Sequence, residues 1–149
     1  MQRRALAPFA VLPAVLLALA ACSGGSVPPE PTRPDPSTAL ATPAELRLRD
    51  GGSVQVRGGT SPLTVTFRDV AGDSRCPIDV QCPWAGDAEI DVQLSRDGRS
   101  ATATLHTTTE PKQVEYEGFV VRLVSVEPST RAGVEIPKSE YQVVLRVTR

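Results

Sequence analysis

From residue 44 onward, apolar and polar positions alternate with a period of two. Leu63, Val65 and Phe67 face one way while Thr64, Thr66 and Arg68 face the other. Ala88, Ile90, Val92 and Leu94 alternate with Glu89, Asp91 and Gln93. Ala101, Ala103 and Leu105 alternate with Thr102, Thr104 and His106, and Tyr141, Val143, Leu145 and Val147 with Gln142, Val144, Arg146 and Thr148. One apolar and one solvated face is the signature of antiparallel sheet, because successive strand side chains leave on opposite sides. Phe119 to Val126 is apolar on both parities apart from Arg122 and Ser125, which predicts a central strand. Shorter strands are predicted over Glu45–Arg49, Val54–Arg57 and Val114–Glu117. Asp50-Gly51-Gly52 and Asp97-Gly98 supply turns, the second a strong hairpin signal. Seven or eight strands in residues 44–149 predict an antiparallel β-sandwich, with a small β-barrel as the alternative.

The first 43 residues follow other rules. Arg3 and Arg4 precede an apolar stretch, Ala5 to Ala21, broken by Pro8 and Pro13, the layout of a secretory signal. That stretch is too short, and too rich in proline, for a stable spanning helix. It ends in Leu19-Ala20-Ala21-Cys22, which resembles the lipobox of bacterial lipoproteins. The resemblance implies cleavage after residue 21, a diacylglyceryl thioether on Cys22 and acylation of its new amino group. Two or three acyl chains exceed the one-chain limit of marginal membrane binding. The partner so implied is a membrane, with the domain on its extracytoplasmic face; Ser23 resembles an outer-membrane sorting residue where a second membrane exists. Residues 22–43 hold six prolines (Pro28, Pro29, Pro31, Pro34, Pro36 and Pro43) and little that is large and apolar, which predicts a flexible tether.

The chain has 149 residues, 16 basic and 17 acidic. Removing residues 1–21 takes away Arg3 and Arg4, leaving 14 basic against 17 acidic side chains and a charge of −3. This balance argues against nucleic acid as a partner, which a basic surface would attract. With Cys22 assigned to lipid, Cys76 and Cys82 are the remaining two of three cysteines, and in an oxidising compartment they are expected to pair. Their spacing lacks the Cys-x-x-Cys of redox dithiols and offers too few ligands for structural zinc. The acids Asp73, Asp79, Asp87, Glu89 and Asp91 cluster in sequence without the spacing of a calcium loop. No metal or cofactor is expected, nor does a P-loop, dinucleotide-binding, G-x-S-x-G or H-E-x-x-H motif occur.

The cysteine loop is the distinctive feature. Asp73-Ser74-Arg75-Cys76-Pro77, then Cys82, then Trp84-Ala85-Gly86 resemble a signature of small bacterial secreted or lipoprotein β-domains of uncharacterised function. Pro128, after a long strand, and Tyr141, opening the last one, fit the same group. The resemblance implies no established activity and no catalytic residue. From the residues themselves, Asp73 is expected to cap loop amides and Arg75 to pair with Asp73 or Asp79. Gly86 is expected to permit a positive φ or a close approach entering the next strand, and Trp84 to pack over the sheet edge or the disulfide. His106, on the polar parity of its strand, reads as an exposed bystander. Three functions follow. The first is a non-enzymatic envelope binding or accessory module recognising a protein or glycan through Asp73, Arg75, Asp79 and Trp84. The second is an inhibitor of envelope-directed hydrolases, lysozymes or proteases, using the loop as a plug. The third is an enzyme built on His106 and nearby carboxylates.

Overall fold

The computed structural model describes residues 40–149, which fall in one compact unit. The signal segment, Cys22 and the tether as far as residue 39 lie outside the described residues. Nine strands run in chain order: β1 (Leu40–Ala41), β2 (Ala44–Arg49), β3 (Ser53–Arg57), β4 (Leu63–Asp73), β5 (Ala88–Arg96), β6 (Arg99–His106), β7 (Gln113–Tyr116), β8 (Phe119–Glu127) and β9 (Gln142–Thr148). A 3₁₀ turn, Lys138–Glu140, precedes β9. No helix among the described residues is long and apolar enough to cross a membrane.

The strands form two open sheets, ordered β1-β3-β4-β5-β6 and β2-β9-β8-β7, rather than one closed barrel. Only β1–β3 is parallel; every other pair is antiparallel. Strand pairing thus extends upstream of the boundary at residue 44, since Leu40 and Ala41 register with Val56 and Arg57. Two residues carry no periodicity from which a strand could be read.

The alternating residues do what their spacing dictates. Leu63, Val65 and Phe67 from β4 and Ala88, Ile90, Val92 and Leu94 from β5 meet Val121 and Leu123 from β8 and Val143, Leu145 and Val147 from β9 in one buried cluster. These faces pack as a sandwich, burying the aliphatic and aromatic surface that drives folding. The central placement of β8, between β9 and β7, follows from its apolarity on both parities. A register shift between Leu123 and Ser125 nevertheless leaves Val124 exposed.

Two-residue turns close two hairpins. Asp97 and Gly98 lie at φ 50° and 76° between the paired Arg96 and Arg99, as an inverse turn matched to strand twist requires. Glu117 and Gly118 repeat this between β7 and β8. Irregularities in the β4–β5 pairing, at Phe67/Asp69 and Val70/Gly72, alter the regular alternation before β4 reaches Asp73. That strand end is where the long β4–β5 loop begins.

Candidate functional site

Residues 74–87 continue the β4–β5 hairpin beyond its last ladder pair, Asp73 and Ala88. The Ser74 amide donates to the Asp87 carbonyl (2.7 Å), and the Cys76 amide to the Ala85 carbonyl (2.8 Å). The Asp87 amide donates to Ser74 Oγ (3.2 Å). Gly86, at φ 69°, allows this closure, because a β-carbon there would collide with the Ser74 carbonyl. Above the neck the Cys76–Cys82 disulfide closes a small ring. Such a ring restrains the unfolded chain by about 2 kcal/mol on the loop-entropy account.

Arg75 locks one flank. Its guanidinium donates to both oxygens of Asp73, Nε to Oδ1 at 2.8 Å and Nη2 to Oδ2 at 2.7 Å. Nη1 and Nη2 also reach the carbonyls of Val126 (2.6 Å) and Pro128 (2.9 Å) at the end of β8. The Tyr141 hydroxyl donates to Asp73 Oδ2 (2.9 Å), and the Arg75 amide to Asp73 Oδ1 (3.2 Å). The side chains of Arg75 and Asp73 retain only 16% and 8% of their exposure. Burial opposes ionisation of Asp73, but the hydrogen bonds from Arg75 and Tyr141 outweigh it and hold the carboxyl below its usual range. Burial, and then the Asp73 carboxylate it contacts, raise the Tyr141 hydroxyl above the ordinary phenol range.

The loop is also tied to residues 128–132. The Ile78 amide donates to the Thr130 carbonyl (3.0 Å), and Thr130 Oγ1 to the Arg75 carbonyl (3.1 Å). Asp79 accepts the Ala132 amide (2.9 Å). Arg75 therefore pairs with Asp73, while Asp79 serves as a cap on the facing loop.

Asp87 locks the other flank, through residues whose role the sequence pattern did not disclose. Its carboxylate accepts from Thr107 Oγ1 (2.9 Å), the Thr108 amide (2.8 Å) and Thr109 Oγ1 (3.0 Å), and it lies 2.6 Å from His106 Nδ1. Burial disfavours the Asp87 charge, but these donors prevail and hold its pKa far below the ordinary carboxylate value. An ionised carboxylate can only accept, so Nδ1 carries the hydrogen of the His106 contact. His106 is thus a partly buried strut, 19% exposed, and not a solvated bystander. Strand parity placed it outward correctly, but residues 107–109 and Asp87 fold over that outward face.

Asp87, Glu89 and His106 each bring one ligand atom to within 4.8 Å of the others. Four hydrogen bonds already engage the Asp87 oxygens, which leaves two donors, fewer than the three or four of a built transition-metal site. His106 Nε2 has no hydrogen-bond partner among the described residues.

With both flanks secured, the tip turns apolar groups outward. Trp84 is 75% exposed, Ile78 61% and Val80 47%, and Val134 is exposed on the facing loop. Trp84 is thus mostly solvated rather than buried over the sheet edge or the disulfide as its type suggested, and hydrogen bonds, not burial of the indole, hold the loop. Near the loop's base a cleft of about 310 Å³ is lined by Val70, Thr130, Val134, Ile136 and Tyr141, with Lys138 bonded to Asp69 (2.6 Å) at its side. No protein-family model, curated protein or solved structure matches the chain.

Proposed function

We propose that the protein is a lipid-anchored extracytoplasmic module of the cell envelope that binds a partner protein through the tip of its cysteine loop. The anchor rests on the lipobox-like Leu19-Ala20-Ala21-Cys22. The recognition reading is carried by one observation: the chain's only tryptophan is 75% exposed on a loop fixed by a disulfide and two carboxylate-centred networks. Exposing an indole on the same loop as the exposed Ile78 and Val80 costs solvation without benefiting the fold. Rigid loops that carry an aromatic anchor bind with little ordering cost, and tryptophan is the residue most enriched at binding hot spots. Asp73, Arg75 and Asp79 then act as the frame of the site, and Trp84 with Ile78 and Val80 as its contact surface.

Site-specific photo-crosslinking in intact envelopes tests this reading. A photoreactive side chain replacing Trp84 or Val80 should give a discrete protein adduct that the same group at Glu115 on β7 does not. Equal labelling from all three positions would refute the loop as the contact. Mass spectrometry of the mature chain checks the anchor, which requires an acylated Cys22 at the N-terminus.

A further inference from the structure

Four strands border the two sheets, and three are poor templates for adding another. β1 has two residues, β7 has four with Glu115 among them, and β2 carries Glu45, Arg47 and Arg49. Short or charged edges of this kind discourage strand addition. β6 differs. It runs for eight residues at the border of the larger sheet, and between Arg99 and His106 it reads Ser-Ala-Thr-Ala-Thr-Leu, without charge, proline or bulge.

The register shows which of its backbone groups face outward. The His106 amide donates away from β5, to the Pro111 carbonyl at 3.0 Å. Backbone groups of an antiparallel strand alternate in direction, so those of Thr104, Thr102 and Ser100 also point away from β5. None of these three amides or carbonyls has a hydrogen-bond partner among the described residues. Ala101, on the core-facing parity, is exposed at the same border.

We propose that β6 is the pairing edge for a second copy of this chain, joined antiparallel about a twofold axis at Thr102. The sequence Ser100-Ala101-Thr102-Ala103-Thr104 has the same chemistry read in either direction. Thr102 then faces Thr102 of the second copy, Ser100 faces Thr104, and Ala101 faces Ala103. Each hydroxyl-bearing pair exchanges two amide–carbonyl bonds, so every outward group of the three residues is satisfied in both copies. Hydroxyl residues stack on the outer face, a favourable cross-strand pairing, and alanines on the core face, where Ala101 becomes covered. No like charges are opposed; Arg99 meets Leu105. The same patch serves both copies, so the contact closes at a dimer with a continuous ten-stranded sheet built from two five-stranded ones. The cysteine loop takes no part in this edge, so the proposal stands or falls apart from partner recognition there.

Cysteine crosslinking of the full chain tests the register. Cα atoms in a bonded pair lie about 5.5 Å apart, within disulfide range. Under mild oxidation Thr102→Cys should give a chain pair of twice the monomer mass on a non-reducing gel, above the background of the unsubstituted chain. Ser100→Cys and Thr104→Cys should each stay monomeric alone and crosslink to one another when co-produced. Thr102→Pro removes only an outward donor, a change edge strands tolerate. It should keep the fold and lose the dimer in sedimentation at every concentration where the unsubstituted chain shows one. Free thiols in Thr102→Cys, crosslinking of Thr104→Cys to itself, or a Thr102→Pro chain that dimerises unchanged would each overturn the proposal.

Discussion

Replacing Arg75 by Met keeps most of the side-chain volume and removes every charged contact of the guanidinium. Asp73 would then sit, 8% exposed, with only Tyr141 and one amide as donors, and the carbonyls of Val126 and Pro128 would lose their partner. Breaking a fully buried ion pair costs about 3–5 kcal/mol, because one charge remains uncompensated. The remaining exposure here lets water reach the vacated carbonyls, which sets the expectation at the lower end, about 3 kcal/mol. For a domain of this size that corresponds to a fall in Tm of about 12 °C. The assay is thermal unfolding followed by circular dichroism without reductant. Asp73→Asn and the double variant complete a cycle, in which the double should be more stable than the sum of the singles implies. A Tm change under about 3 °C for Arg75→Met, or strict additivity, would refute the view that this pair secures the loop.

Trp84→Ala should alter stability by no more than about 0.5 kcal/mol, since a solvated side chain off the core contributes little; a larger loss in the same melt would mean that the indole is packed. Asp73 and Asp87 have folded-state pKa values below the unfolded value of 3.8, so their stabilisation is present above pH 4 and is lost as pH falls through the folded values. Stability measured between pH 5 and 2 should therefore decline, and Asp87→Asn should flatten that decline while lowering stability at pH 7. Gly86→Ala should destabilise far more than Gly98→Ala, because both sit at positive φ but only Gly86 lies against a carbonyl; similar denaturation midpoints for the two would contradict the close approach.

The two-residue period located the major strands and most of the core, because β-sandwich faces follow from local alternation; Ala101 on the apolar parity is nevertheless exposed at the sheet border, and Val144 on the opposite parity of β9 is buried. The disulfide and the positive φ of Gly86 were also readable, being consequences of residue type at short separation; for Arg75 the sequence left Asp73 and Asp79 as alternatives, and the fold selects Asp73. Contacts between distant segments were not. Arg75 reaches carbonyls 51 and 53 residues further on, and nothing in the local pattern marks a carbonyl as a destination. His106 was misread because outward parity was equated with solvent, whereas the Thr107–Thr109 turn and Asp87 cover that face. A run of three threonines directly after a strand-end histidine was the available sign of a carboxylate-binding turn. Trp84 was misplaced for the opposite reason. A lone tryptophan is ordinarily needed for packing, but here polar networks hold the loop and leave it free.

The claim at the centre is that a preformed, oxidised loop presents Trp84 to a partner. Its most direct test is quantitative capture of the crosslinked partner by three forms of the full chain: unsubstituted, Trp84→Ala, and Cys76→Ser/Cys82→Ser. Capture should be lost in Trp84→Ala with an unchanged melting curve, and weakened in the double serine variant, whose loop must be ordered on binding. Undiminished capture by Trp84→Ala would contradict that claim.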